Sequence, residues 1–283
     1  MGLLNRLPLT RIKIFIAKVL YRLLMILGVK KDREIVRNGI RYRVDLSEGI
    51  DLSLYLFGNF QSHVYKNPNL KIADDAVIFD VGANVGLMTM QFAKTAPRGW
   101  VYAFEPTHYA LGKLKVNLGL NPELAKRVKI FQTFVSAKTE ENSKIEAFAS
   151  WKVDGKAEGA GVHPVHLGTA KNTDGVGAVT LDDFCEREQI QRLDFIKIDT
   201  DGHEFEVFGG AKRTIERFRP SIIFEIGLYV MEEKGIDFGF YEQYFSPMKY
   251  KLTNSTNGAE ITINNYRQHI PEKGTIDILA LPI

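Results

Sequence analysis

The chain has 283 residues, 45% of them hydrophobic and 25% charged, an ordinary globular balance with enough length for a sizeable core. A net charge of +3 is too mild for a nucleic-acid surface, and a single cysteine, Cys185, excludes an internal disulfide. No uncharged apolar run approaches the roughly 18 residues a membrane-spanning helix needs, so one large α/β domain with an extension is expected.

The extension comes first, over residues 1–38. Its first 31 residues carry Arg6, Arg11, Lys13, Lys18, Arg22, Lys30 and Lys31, and no acid stands before Asp32. On a helix at about 100° per residue, Arg11, Lys18 and Arg22 fall within roughly 40° of one another. The rest of that helix is Ile12, Phe15, Ile16, Val19, Leu20, Leu23, Leu24 and Leu27. Arg22 interrupts the apolar region and no small-residue cleavage site follows, so a secretory signal fits poorly and a cytoplasmic protein is expected. Two readings remain. The helix over residues 9–28 lies on an anionic membrane surface, or it packs on the domain with a solvated basic edge.

The main domain is expected over residues 39–283. G-I-R-Y-R-V-D-L at 39–46 alternates as a half-exposed strand does, and 51–58 reads as a short helix ending at Gly58. Together, 39–70 form a preface expected to close over one end of a ligand site. Ala76 to Phe79 is a strand buried on both faces, followed at once by D-V-G-A-N-V-G at 80–86 and a helix from Leu87. A strand, a tight glycine turn and a helix N-terminus present unpaired backbone N–H groups to an anionic ligand atom.

Spacing separates the cofactors. A dinucleotide fingerprint needs G-x-G-x-x-G, but Asn84 and Leu87 occupy its second and third glycine positions, and no Gly-Lys-Ser/Thr of a P-loop follows. The second strand, Trp100 to Phe104, ends in Glu105-Pro106, and a carboxylate there takes both hydroxyls of a ribose. S-adenosylmethionine fits this pairing of a nucleoside with a charged group other than pyrophosphate. A helix over 109–120 and a third strand over 128–135 follow. Ser136 stands just past that strand, either as an adenine contact or as a plain turn serine.

From 137 to 178 periodicity dissolves into a loop with six glycines between Asp154 and Ala178, the length of a lid or a binding loop. Trp151, His163 and His166 are the residues there able to grip a polar substrate. Thr180 or Asp182 caps a helix through Glu188. Strands are expected at 193–198, 220–224, 248–252 and 275–281, with a helix over 240–245. Strands alternating with helices predict a doubly wound, mostly parallel sheet.

D-V-G-A-N-V-G at 80–86, F-E-P at 104–106, T-L-D-D-F at 180–184 and I-K-I-D-T-D-G-H-E at 196–204 resemble the FkbM-type methyltransferases. G-G-A at 209–211 and R-P-S-I-I-F-E at 219–225 extend the match. The resemblance implies a Rossmann-like class I methyltransferase sheet with its final strand antiparallel. It also implies methyl transfer from S-adenosylmethionine to oxygen, on a hydroxyl of a sugar, glycan, glycolipid or other polar metabolite. Where that pattern often has a glutamate, this chain has Gln61.

Ligands in open α/β sheets bind beyond the C-terminal strand ends. There this chain places four acids, Asp80, Glu105, Asp199 and Glu225. The donor is expected to meet Asp80, Gly82, Ala83, Asn84, Gly86, Glu105, Pro106, Ser136 and Asp199. Asp199, His203 and Glu204 are the catalytic candidates, because an in-line displacement needs placement and a hydroxyl nucleophile gains from a base. Structural uses compete: first-turn acids complement a helix dipole, and His203 fits an ordinary surface position. A third reading makes Asp199, Asp201 and Glu204 ligands of a divalent cation. The rival functions are an NAD-dependent oxidoreductase, disfavoured by Asn84, and a membrane-docked module that holds cofactor without turnover.

Overall fold

The computed structural model describes residues 10–143, 145, 147–149, 152–154, 169–272 and 274–283. Trp151, His163 and His166 lie outside the described residues. In chain order, helix α1 (Thr10–Ile26) leads to a hairpin of β1 (Asp32–Arg37) and β2 (Ile40–Asp45), then to α2 (Gly49–Phe57) and α3 (Ser62–Tyr65). Next come β3 (Val77–Val81), α4 (Leu87–Thr95), β4 (Trp100–Phe104), α5 (His108–Gly119), α6 (Pro122–Ala125) and β5 (Val128–Phe131). Short strands β6 (Phe134–Val135), β7 (Ala147–Ala149), β8 (Thr169–Lys171) and β9 (Ala178–Val179) edge the loop region. The last part holds α7 (Leu181–Arg187), β10 (Phe195–Ile198), α8 (Glu204–Gly209), α9 (Lys212–Phe218) and β11 (Ser221–Gly227). It closes with α10 (Leu228–Glu233), α11 (Phe238–Phe245), β12 (Tyr250–Asn254), α12 (Tyr266–His269) and β13 (Thr275–Pro282).

The central sheet runs β12-β13-β11-β10-β3-β4-β5. From β11 to β5 neighbouring strands are parallel, while β13 is antiparallel to both β11 and β12. This is the expected doubly wound class I methyltransferase sheet with its last strand reversed. Because helices cover both faces, the middle strands are apolar throughout: Ile78, Phe79, Val101, Ile196, Ile198, Ile222 and Phe224 are all buried. On one face Phe104 meets Phe184 of α7 edge-on, with ring centroids 4.7 Å apart. On the other, Phe92 of α4 meets Phe195 at 5.4 Å.

The N-terminal part packs on this body through its own apolar cluster, in which Ala17, Ile40, Tyr42, Val44 and Leu52 join Leu87, Met90 and Leu114. Helix α1 therefore docks on the domain, with Ile14 and Ala17 buried. The hairpin, paired from Asp32↔Asp45 to Arg37↔Ile40, straddles the boundary expected at residue 38. Among the described residues, no helix is long and apolar enough to cross a membrane.

Several boundaries differ from expectation. The third strand stops at Phe131, because Phe134 N–H and Thr133 Oγ1 both donate to Gly177 O, at 2.9 and 3.0 Å. That draws β6 out of the sheet to pair with β9. Thr180 is the cap of α7, accepting from Asp183 N at 2.9 Å. Asp182 instead accepts from Thr214 N at 2.7 Å in the first turn of α9. Strand β11 runs on to Gly227 because its antiparallel ladder with β13 continues through Glu225↔Asp277 to Gly227↔Thr275, so Glu225 lies inside the strand.

Cys185 lies on the core-facing side of α7, 4% exposed, and burial pushes its thiol up to about 11. A thiol-specific reagent at pH 8 is therefore expected to label native protein at least about 100-fold more slowly than urea-unfolded protein. Equal labelling rates would place Cys185 at the surface and contradict this packing.

Candidate active site

The turn after β3 is built from residues that accept left-handed backbone, with φ of +77° at Gly82, +51° at Asn84 and +86° at Gly86. Gly82 N and Ala83 N both donate to Phe104 O, at 3.1 and 2.9 Å, which pins the turn to the tip of β4. Glu105 completes the junction. Its Oε2 accepts from Asn84 N at 2.9 Å, and its Oε1 accepts from Thr107 N at 2.8 Å and Thr107 Oγ1 at 2.6 Å. Burial raises the Glu105 carboxyl pKa, with the Thr107 and Asn84 donors acting against that rise.

Behind the turn is a residue that sequence reading passed over. Lys197 of β10, 4% exposed, donates to Gly82 O at 3.0 Å. Its Nζ stands 3.4 Å from Asp199 Oδ2 and 3.5 Å from Asp80 Oδ1. Burial alone would lower its pKa, but the carboxylates of Asp199 and then Asp80 overcome this and hold the ammonium charged. Asp80 is fully buried, its Oδ2 accepts from Thr89 Oγ1 at 2.5 Å, and its Oδ1 has only the lysine beside it. The available signal was a lysine in the otherwise apolar run F-I-K-I, which a buried strand tolerates only opposite a carboxylate.

After β10 the chain turns through Asp201, at φ +53°, and Gly202. Glu204 Oε1 gathers that loop, accepting from Thr200 N at 2.8 Å, Thr200 Oγ1 at 3.0 Å and Gly202 N at 3.3 Å. Its carboxylate is thereby directed into the loop. Asp201 is exposed at the rim. Surrounding protein and then the charges of Asp199, Glu204 and Glu105 push its carboxyl up to about 8. Because solvent reaches the side chain, the like charges are the firmer cause. His203 Nδ1 stands 3.3 Å from Glu206 Oε1, which also accepts from Lys234 Nζ at 3.2 Å.

These elements enclose a cleft of about 690 Å³, part of it open to solvent. Gly82, Asn84, Glu105, Pro106, Asp199, Asp201 and His203 line it, and its walls include Phe134, Val135, Ile145 and Ala147. Asp80, Ala83, Gly86 and Glu204 are not among its lining residues. Ser136 does not line it: its N–H donates to Val179 O at 3.0 Å, and a Cβ on Gly210 would lie 2.2 Å from its carbonyl oxygen.

Beyond Asp199, away from the glycine turn, lies a second polar group. Gln61, left-handed at φ +45°, donates to Asp199 Oδ2 at 3.0 Å, so the preface does reach the cleft. Two residues on, His63 Nε2 contacts Asp277 Oδ2. Asp277 pairs with Glu225, whose Oε1 accepts from Thr275 Oγ1 at 2.5 Å. Burial, then Asp199 and Asp277, raise the Glu225 carboxyl pKa well above the ordinary range.

A family model for the methyltransferase FkbM domain matches residues 80–252, from the glycine turn through β12. The chain belongs to the FkbM methyltransferase family. A 72-residue stretch, 25% of this chain, is 40% identical to the AMB antimetabolite synthetase AmbE of Pseudomonas aeruginosa and covers 3% of that protein. The 2-O-methyltransferase NoeI of Sinorhizobium fredii is 25% identical over 155 residues, 51% of this chain and 61% of that one. The methyltransferase sdnD of Sordaria araneosa is 26% identical over 226 residues, 68% and 85% of the two chains. The chain thus spans less than two thirds of the first two relatives.

S-adenosylmethionine is the methyl donor of the FkbM family, and the residues present fit that donor. The turn admits no Cβ at Gly82, where one would lie 1.8 Å from Asp199 O. The cleft combines apolar walls with carboxylates at Glu105, Asp199 and Asp201, a set that suits an adenosine bearing cationic sulfonium and ammonium groups. Among the described residues, no three His, Cys, Asp or Glu side chains are grouped to hold a metal ion. The considered set of Asp199, Asp201 and Glu204 is divided, since Glu204 is directed into its own loop.

Proposed function

We propose that this methyltransferase acts on oxygen, methylating a hydroxyl of a sugar, glycan, glycolipid or similarly hydroxylated metabolite. The observation that carries the reading is the His63–Asp277 pair, which follows two residues after Gln61, the donor to Asp199 Oδ2. A hydroxyl must lose its proton as its oxygen attacks carbon, and an imidazole held by a carboxylate is suited to take it. With Nε2–H directed at Asp277, Nδ1 of His63 is left to accept that proton, and the half-exposed ring passes it to solvent. The name of NoeI, a 2-O-methyltransferase, supports the same chemistry.

On this reading Glu105, which lines the cleft, takes a ribose hydroxyl on Oε2, where one lone pair remains after the bond from Asn84 N while Oε1 accepts both Thr107 donors. Phe134 and Pro106 flank the base. Asp199, aligned by Lys197 and Gln61, meets the donor's amino-acid end together with Asp201. Bound S-adenosylmethionine supplies an electrophilic methyl group, and the protein's share is placement and removal of the acceptor proton. His203, held by Glu206, forms the cleft wall on the donor side.

Labelled donor incubated with extracted glycans and glycolipids is expected to yield base-stable methyl ethers. His63→Gln is expected to lower kcat by roughly 10²–10⁴-fold. S-adenosylhomocysteine affinity should stay within about twofold, and His203→Gln should leave kcat within about tenfold. Label recovered on nitrogen or as a base-labile ester, or full kcat in His63→Gln, would overturn the proposal.

A further inference from the structure

We infer that the outer side of α1 is a docking face for an anionic lipid bilayer. The helix has two apolar sides, and the domain uses one of them. Ile14 and Ala17 are buried, and Tyr21, Leu24 and Met25 are partly buried in the cluster formed with the hairpin and α2. The opposite side exposes Phe15 at 67%, Val19 at 39%, Leu23 at 51% and Ile26 at 80%, continued by Leu27 at 76%. A helix that served only to cover the domain would carry polar residues there.

Placed at about 100° per residue, these side chains form one outward arc. Phe15, Ile26, Val19, Leu23 and Leu27 follow one another over roughly 120°, and Arg22 and Lys18 border the Phe15 edge. Apolar residues with an adjoining basic rim are the pattern of a helix lying in the plane of a membrane interface. Exposed Lys30 follows just past the helix, while Lys31 stands 3.3 Å from Asp45 Oδ2 and is paired within the domain.

Charge selects the occupant. No acid stands among residues 1–31, so a second copy of this face would set basic rim against basic rim. Residues 1–9 carry Arg6 and no acid, so folding them back would not neutralise the rim either. An anionic headgroup layer supplies the missing charge, and its acyl boundary takes the exposed side chains. Helix α1 is too short and too charged to cross; it lies on the surface.

The test is co-sedimentation of the full chain with phosphatidylglycerol-containing vesicles and with pure phosphatidylcholine vesicles. Binding is expected to the anionic vesicles alone and to fall as salt rises. Lys18→Gln/Arg22→Gln should weaken partitioning roughly thirtyfold. Phe15→Ser/Leu23→Ser/Ile26→Ser should abolish it, with the melting temperature preserved because those side chains face outward. No partitioning, equal partitioning into both vesicle types without salt dependence, or a dimer in ultracentrifugation that the triple variant dissolves would overturn the inference. None of these readouts depends on methyl transfer.

Discussion

Lys197→Met is expected to melt well below the natural protein and to lose S-adenosylhomocysteine binding. The substitution keeps the volume of the strand residue but removes an ammonium that stands between Asp80 and Asp199 and donates to Gly82 O. Asp80 would keep a fully buried carboxylate with Thr89 as its one donor. Breaking a buried pair in this way costs about 3–5 kcal/mol, a large share of the roughly 5–15 kcal/mol that holds a domain together. The melting temperature should fall by roughly 10 °C. Folding raises the lysine pKa, so the pair's contribution is complete below the unfolded lysine value near 10.4 and fades only as pH climbs through the folded one. The deficit should therefore be level between about pH 6 and 9. Asp80→Asn/Lys197→Met should recover part of the melting temperature without recovering the ligand. A melting temperature within about 2 °C of the natural protein would show that Lys197 is not the counter-charge described here.

How much of this was legible in the sequence follows from how local each interaction is. The parallel strands β3, β4, β10 and β11 were readable because each is a largely apolar run closed by glycine or an acid, and the glycine turn carries its spacing within seven residues. Asp199 and Glu105 were readable as acids at strand tips. Strand β1 was not, since D-R-E-I-V-R offers one buried side chain, Ile35, and exists because β2 pairs with it. The end of β5 depends on Gly177, more than forty positions away. Lys197 acquires its meaning from Asp80 on another strand, 117 positions earlier in the chain, and from Gly82 O. His63 and Asp277 are 214 positions apart, and neither lies in a motif. Glu204 reads as a first-turn acid either way. Its inward role appears only once Asp201 takes a left-handed conformation and turns the Thr200 and Gly202 amides toward it.

Gly82→Ala is expected to abolish donor binding, and Gly86→Ala to damage it much less. Both glycines have positive φ, +77° and +86°, so both substitutions meet the left-handed penalty of roughly 1–2 kcal/mol. Their surroundings differ. A Cβ on Gly86 would lie 2.2 Å from Leu114 Cδ1, the free end of a side chain that changes rotamer. A Cβ on Gly82 would lie 1.8 Å from Asp199 O and 2.9 Å from Asp199 C, and backbone held in the β10–β3 junction has no rotamer to change. Relief requires parting the tips of β3 and β10. That would break the Lys197–Gly82 O bond and move the Asp199 carboxylate from its place beside Gln61. Overpacking of this kind costs about 1–3 kcal/mol beyond the conformational penalty. The combined roughly 2–5 kcal/mol corresponds to a loss of about 30-fold to several thousand-fold in donor affinity. Titration calorimetry with S-adenosylhomocysteine on both variants measures it directly. Equal losses would assign the effect to left-handed backbone alone, and undiminished binding by Gly82→Ala would mean that the strand tips do not approach each other as described. A large loss at Gly82 with a small one at Gly86 is the outcome that only a rigid contact between the turn and Asp199 produces.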